Sequence, residues 1–575
     1  MLTMASLSAC KTRHFLLSRT RHTVPAASTA CKTQFKPGQS TSTRKRTLSC
    51  PDLPLARMRI PMSRKFKQGI SHIRWSLLVI LATGFIGPVL ASDPRQEIDD
   101  ALTHGLRPAV LPLQAPLPHW SLAERMAQHS VPGTSVAVIR DGKLVYARGF
   151  GTRQAGSNDP VDADTLFSVG SVSKVVTAAV TLREVADGKL NLDRSVNGYL
   201  HSWKIPAGAG VDPDTISLRM LMSHTAGLGV WGFEDYQPGE TLPTLLQTLN
   251  GESPAKNAAV RIQFPPGSRM LYSGGGVTIE QLLLQDTSGK SFAQLADERV
   301  FSPVGMSRST FINPLPADTR NVAHAHDKKG QATALPRGWE SFPEQAASGL
   351  WTSANDLGHF VAALLSAYRG QGPFLPQSLA IAMMTEVAPS QHGLGPRLEG
   401  EGRSRVFHHG GSNDSYRAWI EGYPASGDGF VILTNGANGA RLAAELRNAL
   451  TDLSGDNQVL RTIELPTTTL ADFEGDYLLT PDLPGSVTGS MTGYFDHDRF
   501  RVAVADDTLV VSQADDNPRR LQPLTPTRFV NPAGDASQPR FEFLRGADGK
   551  VQGLRVQRDG GQLHFHKLQG SPSQP

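Results

Sequence analysis

The sequence predicts an α+β fold in which helices flank a layered sheet, followed by a separate small β-domain. Two adjacent strand patterns, residues 134–140 and 143–150, come first, a helical middle follows, and strand patterns return at residues 415–423 and 429–435. This order is typical of an α/β layer fold with a helical insert. After residue 467, short strand patterns separated by polar turns indicate a second domain of β type.

The first 91 residues differ in charge from the rest of the chain. The protein has 575 residues and a formal net charge of +5, and 15 of its 57 Lys and Arg residues lie in residues 1–91 beside one acid, Asp52. Residues 92–575 therefore carry 42 basic and 51 acidic side chains, a net charge of −9. All three cysteines also lie in the leader. An acidic, thiol-free body excludes a disulfide scaffold, a cysteine nucleophile and Cys-ligated metal clusters.

The leader has two parts. Residues 1–57 are rich in Ser, Thr, Lys and Arg without an apolar period, so we expect either a disordered basic tail or a stretch upstream of the true start. Residues 58–91 have the parts of a secretory signal: basic residues, an apolar run over residues 75–90 and small residues at its end. A membrane anchor is the alternative, but a spanning helix needs roughly 20 apolar residues. We predict cleavage after Ala91, a periplasmic or secreted body, and no stable membrane span.

The body begins with a Pro-rich lead-in, residues 92–118, before a domain predicted at residues 119–455. Asp141-Gly142 between the first two strand patterns is a two-residue hairpin signal. An apolar period over residues 172–185 predicts a long helix. Further helices are predicted at residues 218–223, 278–287, 291–300, 354–365 and 442–453.

The second domain is predicted at residues 467–570, after a linker at residues 456–466. Polar pairs such as Asp548-Gly549 separate its strand patterns, which is typical of antiparallel hairpins. The strands are predicted at residues 472–478, 500–505, 508–512, 541–544, 551–557 and 562–567.

Ser171 and Lys174 form an S-x-x-K motif at the head of the predicted helix 172–185. At this spacing the lysine lies one turn after the serine on the same helix face. A serine hydroxyl needs a base to act as a nucleophile, and a desolvated lysine can be neutral enough to accept its proton. The same spacing occurs elsewhere in the chain without an apolar helix behind it, so the neighbouring residues must identify the site.

Six ordered blocks resemble the serine β-lactamase and penicillin-binding-protein superfamily, in its class C-like form, across residues 119–455. They are residues 167–174 (F-S-V-G-S-V-S-K), 222–228 (M-S-H-T-A-G-L), 266–276 (P-G-S-R-M-L-Y-S-G-G-G), 304–306 (V-G-M), 347–357 (A-S-G-L-W-T-S-A-N-D-L) and 408–413 (H-H-G-G-S-N). The resemblance implies a β-lactamase/DD-peptidase-like sheet flanked by helices, with a helical subdomain.

The resemblance also implies an acyl-enzyme mechanism. Ser171 would attack a carbonyl carbon, and Lys174 or Tyr272 would take its proton. Backbone amides would hold the oxyanion, including that of Ser171 and one on the strand after His409, and water would then hydrolyse the ester. A phenol such as that of Tyr272 needs neighbouring cations to act as a base near neutral pH.

Two positions depart from the superfamily pattern. The asparagine of its Y-x-N block is Gly274, and the lysine of its K-[ST]-G block is His409, followed by Gly410 and Gly411. A mostly neutral histidine loses much of the attraction that lysine offers to a substrate carboxylate. We therefore expect an esterase or a D-amino-acid peptidase or amidase rather than an efficient penicillin hydrolase. The glycines would let backbone approach substrate closely, and Arg417 is a candidate cation near the pocket.

The alternative within enzymes is a true class C-like β-lactamase or DD-peptidase, and the alternative from another class is a non-catalytic scaffold. We expect a small-molecule or short peptidic substrate and no nucleic-acid partner. His224 and His408 are predicted to be structural. The His324-x-His326 pattern in a polar loop is weak as a zinc site and no nucleotide-binding glycine motif is present, so neither a metal nor a cofactor is predicted.

The second domain resembles the small antiparallel β-barrel appended to many members of this superfamily. Residues 472–477 (D-F-E-G-D-Y) match its F-x-G-x-Y start, and its Gly-Lys-Val turn recurs at residues 549–551. The resemblance implies a role in substrate gating or in the contacts of a homo-oligomer.

Overall fold

The computed structural model describes residues 93–208, 210–237, 239–335, 340, 342–455, 459–480, 499–513, 518–532, 539–558 and 561–569. The basic leader, the predicted signal segment and the predicted cleavage position at Ala91 lie outside these ranges. No helix within the described ranges combines the length and the apolar character that crossing a membrane requires.

The helices and strands of the described residues are numbered here in chain order. The helices are α1 (Pro94–His104), α2 (Leu122–His129), α3 (Ser173–Ala186), α4 (Leu218–Met222), α5 (Leu245–Asn250), α6 (Gly274–Ser288), α7 (Phe292–Ala296), α8 (Ser302–Val304), α9 (Gln345–Ser348), α10 (Ala354–Tyr368), α11 (Gln377–Met383), α12 (Gly439–Asp452) and α13 (Thr467–Ala471). The strands are β1 (Val110–Pro112), β2 (Gly133–Arg140), β3 (Lys143–Gly151), β4 (Phe167–Ser168), β5 (Trp351–Thr352), β6 (Arg397–Glu399), β7 (Val406–Ser412), β8 (Arg417–Tyr423), β9 (Asp428–Thr434), β10 (Leu460–Thr462), β11 (Gly475–Leu479), β12 (Arg499–Ala505), β13 (Thr508–Ser512), β14 (Arg519–Pro523), β15 (Arg528–Val530), β16 (Arg540–Arg545), β17 (Val551–Arg558) and β18 (Gly561–Lys567).

A six-stranded antiparallel sheet in the order β3-β2-β9-β8-β7-β6 is the centre of the first domain. Side chains alternate between the two faces of a strand. Val136 and Val138 of β2 pack with α1 and α12, whereas Ala137 and Ile139 belong to the core that contains α10. Helices therefore cover both faces of the sheet, and the predicted layered α+β fold is confirmed.

The helical insert carries two of the elements that build the candidate site, α3 and α6, which contact each other. At their interface Thr181 Oγ1 donates a hydrogen bond to Glu280 Oε1 at 2.5 Å. Burial raises the pKa of Glu280 to about 7, because removal from water disfavours the charged carboxylate.

We expect Glu280→Gln to stabilise the protein at alkaline pH and to have little effect at acid pH. The pKa of Glu280 in the folded state, about 7, lies above its ordinary value of 4.5. Stability therefore falls as pH rises through this window and levels off above it. The variant avoids this loss, roughly 3 kcal/mol at pH 8. Chemical denaturation at pH 4.5 and pH 8 measures the difference, with Glu234→Gln, an exposed side chain, as control. A gain of equal size at both pH values would contradict the assignment.

The second domain is a closed antiparallel barrel of eight strands, β11 to β18, which confirms the predicted small β-barrel. Aromatic side chains such as Phe473, Tyr477 and Phe529 fill its core. The sequence pattern misses β14 and β15. The reason is that β15 has only three residues and β14 buries only Leu521, so neither shows a recognisable alternation.

Residues 93–112, within the predicted lead-in, form a helix and a strand that pack on the body. Ile98 and Leu102 of α1 are buried in the cluster that covers one face of the sheet. β1 pairs in parallel with β10, in the predicted linker, and Val110 packs with Val530 of the barrel. With two buried apolar side chains, α1 is too weakly periodic for the sequence to reveal it.

Candidate active site

Ser171 lies in a 3-10 turn, Gly170–Val172, that runs directly into α3. The sequence predicts the serine at the head of the helix, and the structure places it in this tighter turn just before it. The hydroxyl of Ser173 donates to the carbonyl oxygen of Gly170 at 2.6 Å and accepts from the amide of Leu350 at 3.0 Å. Gly170 has a φ of +48°, which favours glycine. The turn is therefore held in place by the protein around it.

Lys174 Nζ lies 3.1 Å from Ser171 Oγ and 2.7 Å from the carbonyl oxygen of Ala347. The residue is 3% exposed. Burial lowers the pKa of Lys174 to about 7, and the positive charge of Arg397 acts in the same direction. A large fraction of Lys174 is therefore neutral at neutral pH and can accept the proton of Ser171.

Tyr272 and Ser171 line the same cavity, and the ring centroid of Tyr272 lies 5.1 Å from Lys174 Nζ. Burial raises the pKa of Tyr272 above its ordinary value of 10, while the charge of Arg397 and the nearby polar side chain of Ser171 oppose the rise. The phenol therefore keeps its proton at neutral pH. Of the two bases that the resemblance implies, the electrostatics of the site favour Lys174, with Tyr272 suited to donate a proton.

The resemblance implies that the block with His409, Gly410 and Gly411 precedes a strand. In the structure, these three residues lie inside β7. His409 Nδ1 is 2.7 Å from the carbonyl oxygen of Gly410. Because a carbonyl oxygen only accepts, Nδ1 carries the proton and Nε2 keeps its lone pair. Burial, followed by the charges of Arg397 and Lys174, lowers the pKa of His409 well below its ordinary value. His409 therefore presents an uncharged hydrogen-bond acceptor.

Three buried histidines surround the ring of Tyr272. The ring centroids of His224, His392 and His409 lie 4.4, 6.0 and 6.2 Å from that of Tyr272. Burial lowers the pKa of all three well below the ordinary value of histidine, so they are neutral packing partners of the phenol. His224 thus has the structural surroundings that the sequence predicts, whereas His392 stands in no motif block.

Gly411 allows β7 to pass against the nucleophile turn. A Cβ on Gly411 would lie 1.9 Å from the carbonyl oxygen of Val169, whereas a Cβ on Gly410 would meet the ring of Trp419 at 3.3 Å. The sequence predicts that these glycines let backbone approach substrate. At Gly411 the close approach is to the protein's own backbone.

The close approach of β7 to the nucleophile turn also brings a second backbone amide, that of Ser412, to this turn. A Cβ on Gly170 would lie 3.0 Å from the backbone nitrogen of Ser412. Ser171 and Ser412 also line the same cavity. Two amides, one from a turn and one from a strand, form the kind of arrangement that can stabilise an oxyanion.

We expect Gly411→Ala to destabilise the protein by about 1–3 kcal/mol, because the added methyl group overlaps a backbone carbonyl and forces β7 away from the turn. Hydrolytic activity should fall at least about tenfold, since displacement of the oxyanion donors weakens transition-state binding. Gly410→Ala is the matched control on the same strand, and its thermal midpoint should change little. Equal loss of thermal stability in the two variants would contradict the role given to Gly411.

Two predicted substrate-binding residues have other surroundings. Gly274 is the buried first residue of α6, and a Cβ there would lie 2.9 Å from the ring of Phe233. It is not part of the described cavity wall. Arg417 does line the cavity, but its Nη1 donates to the carbonyl oxygens of Asn413 and Tyr416. Arg417 therefore stabilises the turn between β7 and β8.

His408 and His326 make contacts with other groups of the protein. His408 stacks on Trp419 with ring centroids 5.0 Å apart. His326 Nε2 accepts from the amide of Ala155 at 3.0 Å, and its Nδ1 lies 2.9 Å from the carbonyl oxygen of Asn435. Within the described ranges, no group of three or more His, Cys, Asp or Glu side chains is placed to hold a metal ion.

Ser171, Tyr272 and His409 line a cavity of about 330 Å³. Trp231 at its edge is 64% exposed, and its ring centroid lies 5.7 Å from that of Tyr272. The described part of the wall contains no barrel residue. The wall combines polar and charged side chains with apolar surface: Ser171, Tyr272, Arg397, His409, Asn413 and Arg417 with Trp231, Phe233, Phe342 and Trp419. Arg397, Trp231 and Trp419 lie outside the sequence blocks that predict the site.

Comparison with known proteins agrees with this geometry. Residues 121–453 match the Beta-lactamase family. A "Beta-lactamase" of Pseudomonas fluorescens is 32% identical over 238 residues, which cover 41% of this chain and 60% of that protein. "Esterase EstB" of Burkholderia gladioli is 27% identical over 308 residues, which cover 48% of this chain and 75% of that protein. The chain thus spans less than two thirds of the first of these relatives.

Two solved structures can be superposed on the chain. The "octameric penicillin-binding protein homologue from Pyrococcus abyssi" has a TM-score of 0.49 and 20% identity, covering 77% of this chain and 98% of that one. "D-alanine Carboxypeptidase AmpC from Burkholderia cenocepacia" has a TM-score of 0.44 and 22% identity, covering 57% of this chain and 96% of that one.

Proposed function

The chain belongs to the beta-lactamase family and is a serine hydrolase, and we propose that it cleaves an ester or amide bond through an acyl-enzyme on Ser171. The observation that carries this proposal is the distance of 3.1 Å between Lys174 Nζ and Ser171 Oγ, in a site where burial lowers the pKa of the lysine to about 7. A neutral amine within hydrogen-bond distance is the base that a serine nucleophile requires.

Acylation follows from the protonation states of the resting site. Neutral Lys174 takes the proton of Ser171 as the serine oxygen attacks the substrate carbonyl. The amides of Ser171 and Ser412 stabilise the oxyanion, which is the part of the transition state where charge develops. Tyr272 gives its proton to the leaving group as the scissile bond breaks, and the Lys174 ammonium restores the phenol proton.

Deacylation uses Lys174 as the base a second time. A water molecule enters beside the acyl-serine, and neutral Lys174 accepts its proton as the water oxygen attacks the acyl carbonyl. The tetrahedral species collapses, the acid leaves and Ser171 regains its proton. The scheme needs no group beyond the chain's own side chains and backbone amides.

For the substrate, we propose a small or peptidic acyl donor of the ester, D-amino amide or peptide type. The aromatic side chains in the cavity wall support an apolar acyl group, and the uncharged acceptor at His409 does not supply the cation that the superfamily pattern has there. The second candidate is a true β-lactamase or DD-peptidase, which the 32% identity to a beta-lactamase favours. Export is proposed from the signal-like composition of residues 58–91.

A fluorophosphonate probe and a substrate panel test the proposed function. We expect the probe to label Ser171, and p-nitrophenyl acetate or a D-amino acid p-nitroanilide to turn over faster than nitrocefin. Faster turnover of nitrocefin than of both other substrates would support the second candidate instead. If the probe leaves Ser171 unlabelled and no substrate of the panel reacts, the protein is a non-catalytic scaffold.

A further inference from the structure

We propose that the active-site cavity continues into a slot, bounded by Gly410, Trp419 and helix α12, that takes an uncharged flat ring of the leaving group, and that Glu421 is the positioning residue of this slot. This inference rests on the proposed function, and it narrows the substrate class to acyl donors whose departing alcohol or amine carries an aromatic ring. It follows from the register of β7 and β8, from the small side chains of α12 and from the hydrogen bonds of Glu421.

The indole of Trp419 lies over the place in β7 where glycine leaves no side chain. Trp419 of β8 pairs with Gly410 of β7, and a Cβ on Gly410 would meet the indole ring at 3.3 Å. His408 lies two residues earlier on the same face of β7, and it stacks on one face of the indole with ring centroids 5.0 Å apart. The other face of the indole therefore points along β7 towards Ser412, whose amide is an oxyanion donor of the proposed reaction.

Helix α12 covers the slot. The helix packs on β8 and β9, and three of the four residues that it adds to the cavity wall are alanines: Ala440, Ala443 and Ala444, with Arg447 as the fourth. Trp419 is only half-buried, so part of the indole is open to a ligand. A flat ring between the indole and the alanine methyl groups makes apolar contacts on both of its faces.

Glu421 fixes the orientation of the indole. Its side chain is fully buried and accepts a hydrogen bond from Trp419 Nε1 at 2.8 Å. It also accepts from Arg447 Nε at 2.6 Å, from Arg447 Nη2 at 3.0 Å and from the hydroxyl of Tyr423. Burial opposes the ionisation of Glu421, but the charge and the hydrogen bonds of Arg447 outweigh burial and lower its pKa below the ordinary value. One carboxylate thus holds both the indole and the guanidinium of the wall.

The ion pair of Arg447 and Glu421 decides the charge of the group that the slot accepts. Arg447 Cζ lies 5.9 Å from the ring centroid of Trp419, but its charge is matched by the carboxylate of Glu421. Two opposite charges this close largely cancel at the distance of a ligand. The slot therefore favours an uncharged aromatic ring over a carboxylate or an ammonium group.

The order of residues along β7 indicates which side of the scissile bond occupies the slot. The amide of Ser412 marks the position of the reacting carbonyl group. His409, whose ring centroid lies 6.2 Å from that of Tyr272, lies three residues towards the beginning of the strand. Because Tyr272 gives its proton to the leaving group, the leaving group extends from Ser412 in this direction. Gly410 and the overlying Trp419 lie on that path, so the flat ring belongs to the departing alcohol or amine.

A matched pair of esters tests the inference. Benzyl butyrate and cyclohexylmethyl butyrate share an acyl group and a primary alcohol as leaving group, and they differ in the flatness of the ring. We expect the wild type to show a KM about 3- to 10-fold lower for the benzyl ester, with similar kcat values. Trp419→Leu should remove this preference while the cyclohexylmethyl ester still reacts, and Trp419→Phe should retain part of it.

Glu421→Gln tests the positioning role. The amide nitrogen of glutamine cannot accept the hydrogen bonds that one carboxylate oxygen receives from Arg447 and Tyr423. The preference for the benzyl ester should therefore be lost, with little change in the KM of the cyclohexylmethyl ester. If this variant does not fold, Glu421→Asp replaces it, because the shorter carboxylate keeps its charge but withdraws from Trp419 Nε1.

Trp120→Leu and Glu445→Gln are the matched controls. Trp120 is a half-buried tryptophan, and Glu445 is a carboxylate of α12 that accepts from Arg125 Nε at 2.7 Å. Both residues lie outside the described cavity wall, so both variants should keep the wild-type preference. The preference compares two substrates in one variant, so a general loss of stability does not change it.

The possible outcomes separate the inference from the proposed function. Equal KM values for the two esters in the wild type, or a preference that survives Trp419→Leu, overturn the slot while the hydrolase stands. A preference that Glu421→Gln or Glu421→Asp keeps in full overturns the role of Glu421.

If neither ester reacts in the wild type, hydrolysis of such esters fails, and binding of benzyl alcohol decides the slot alone. Saturation transfer from the protein to benzyl alcohol, measured by NMR, supports the slot if Trp419→Leu abolishes it. Equal transfer in the two proteins, or none in the wild type, overturns the slot.

Discussion

Ser171→Ala should lower kcat for the best ester substrate by at least about 10³-fold and leave the fold intact. The variant removes the oxygen that forms the acyl-enzyme, and the remaining oxyanion donors and cavity support only residual hydrolysis. The hydroxyl of Ser171 accepts a hydrogen bond from Lys174 Nζ, so its loss should change thermal stability by no more than about 1 kcal/mol. Initial rates and a thermal unfolding curve measure the two effects.

Ser253→Ala is the matched control for that variant. Ser253 stands in a second S-x-x-K spacing with Lys256, on an exposed segment where Lys256 Nζ instead bonds to Glu240 at 2.8 Å. Its activity should equal that of the wild type. If Ser171→Ala keeps more than about a tenth of the activity, or if the two serine variants lose activity equally, Ser171 is not the nucleophile.

Lys174→Met should be about as inactive as Ser171→Ala, because the site loses the neutral amine that accepts the serine proton. In the wild type, kcat/KM should rise with pH and level off with a midpoint near the Lys174 pKa of about 7, since the protonated lysine cannot act as a base. Lys174→Arg should stay inactive up to pH 10, because a guanidinium does not lose its proton in that range. A flat wild-type profile between pH 5 and pH 9 would contradict the role of Lys174.

Lys174→Met should also be more stable than the wild type at neutral pH. Burial lowers the folded-state pKa of Lys174 to about 7 from an ordinary value of 10.5. The unfolded chain binds a proton that the folded protein releases in this window, so stability rises as pH increases from 7 towards 10.5. Lys174→Met removes this cost, which is roughly 4 kcal/mol at pH 7 and mostly disappears by pH 10. Chemical denaturation at both pH values measures the gain, and a variant less stable than the wild type at pH 7 would contradict it.

Local signals in the sequence predicted much of the fold. The hairpin of β2 and β3 was predictable because a two-residue turn joins two alternating strands, and α3 because its apolar period is long. α1, β14 and β15 were missed because each buries too few apolar side chains for a helical or strand periodicity to be recognisable in the sequence. The tight 3-10 turn before α3 was missed because it depends on Ser173 bonding to Gly170 and Leu350, and the second contact is distant in sequence.

The candidate site was predictable where it rests on motif blocks and unpredictable where it rests on strand register. Ser171 and Lys174 come from one block and Tyr272 from another, and the structure brings their side chains together. Arg397 stands in no block, and only its pairing with His408 across the β6–β7 register brings it to the cavity. Gly274 shows the opposite case, since its block predicted substrate contact but Phe233 packs over it.

Carbamoylation tests most directly whether Ser171 carries the acyl group. A p-nitrophenyl dialkylcarbamate transfers its carbamoyl group to a nucleophilic serine, and the resulting ester hydrolyses slowly enough for intact-mass and peptide mass spectrometry. We expect a burst of one p-nitrophenol per chain, one carbamoyl group on the peptide that contains Ser171, and neither in Ser171→Ala. Ester turnover by a protein that takes up no carbamoyl group, or takes it up at another residue, would contradict the account.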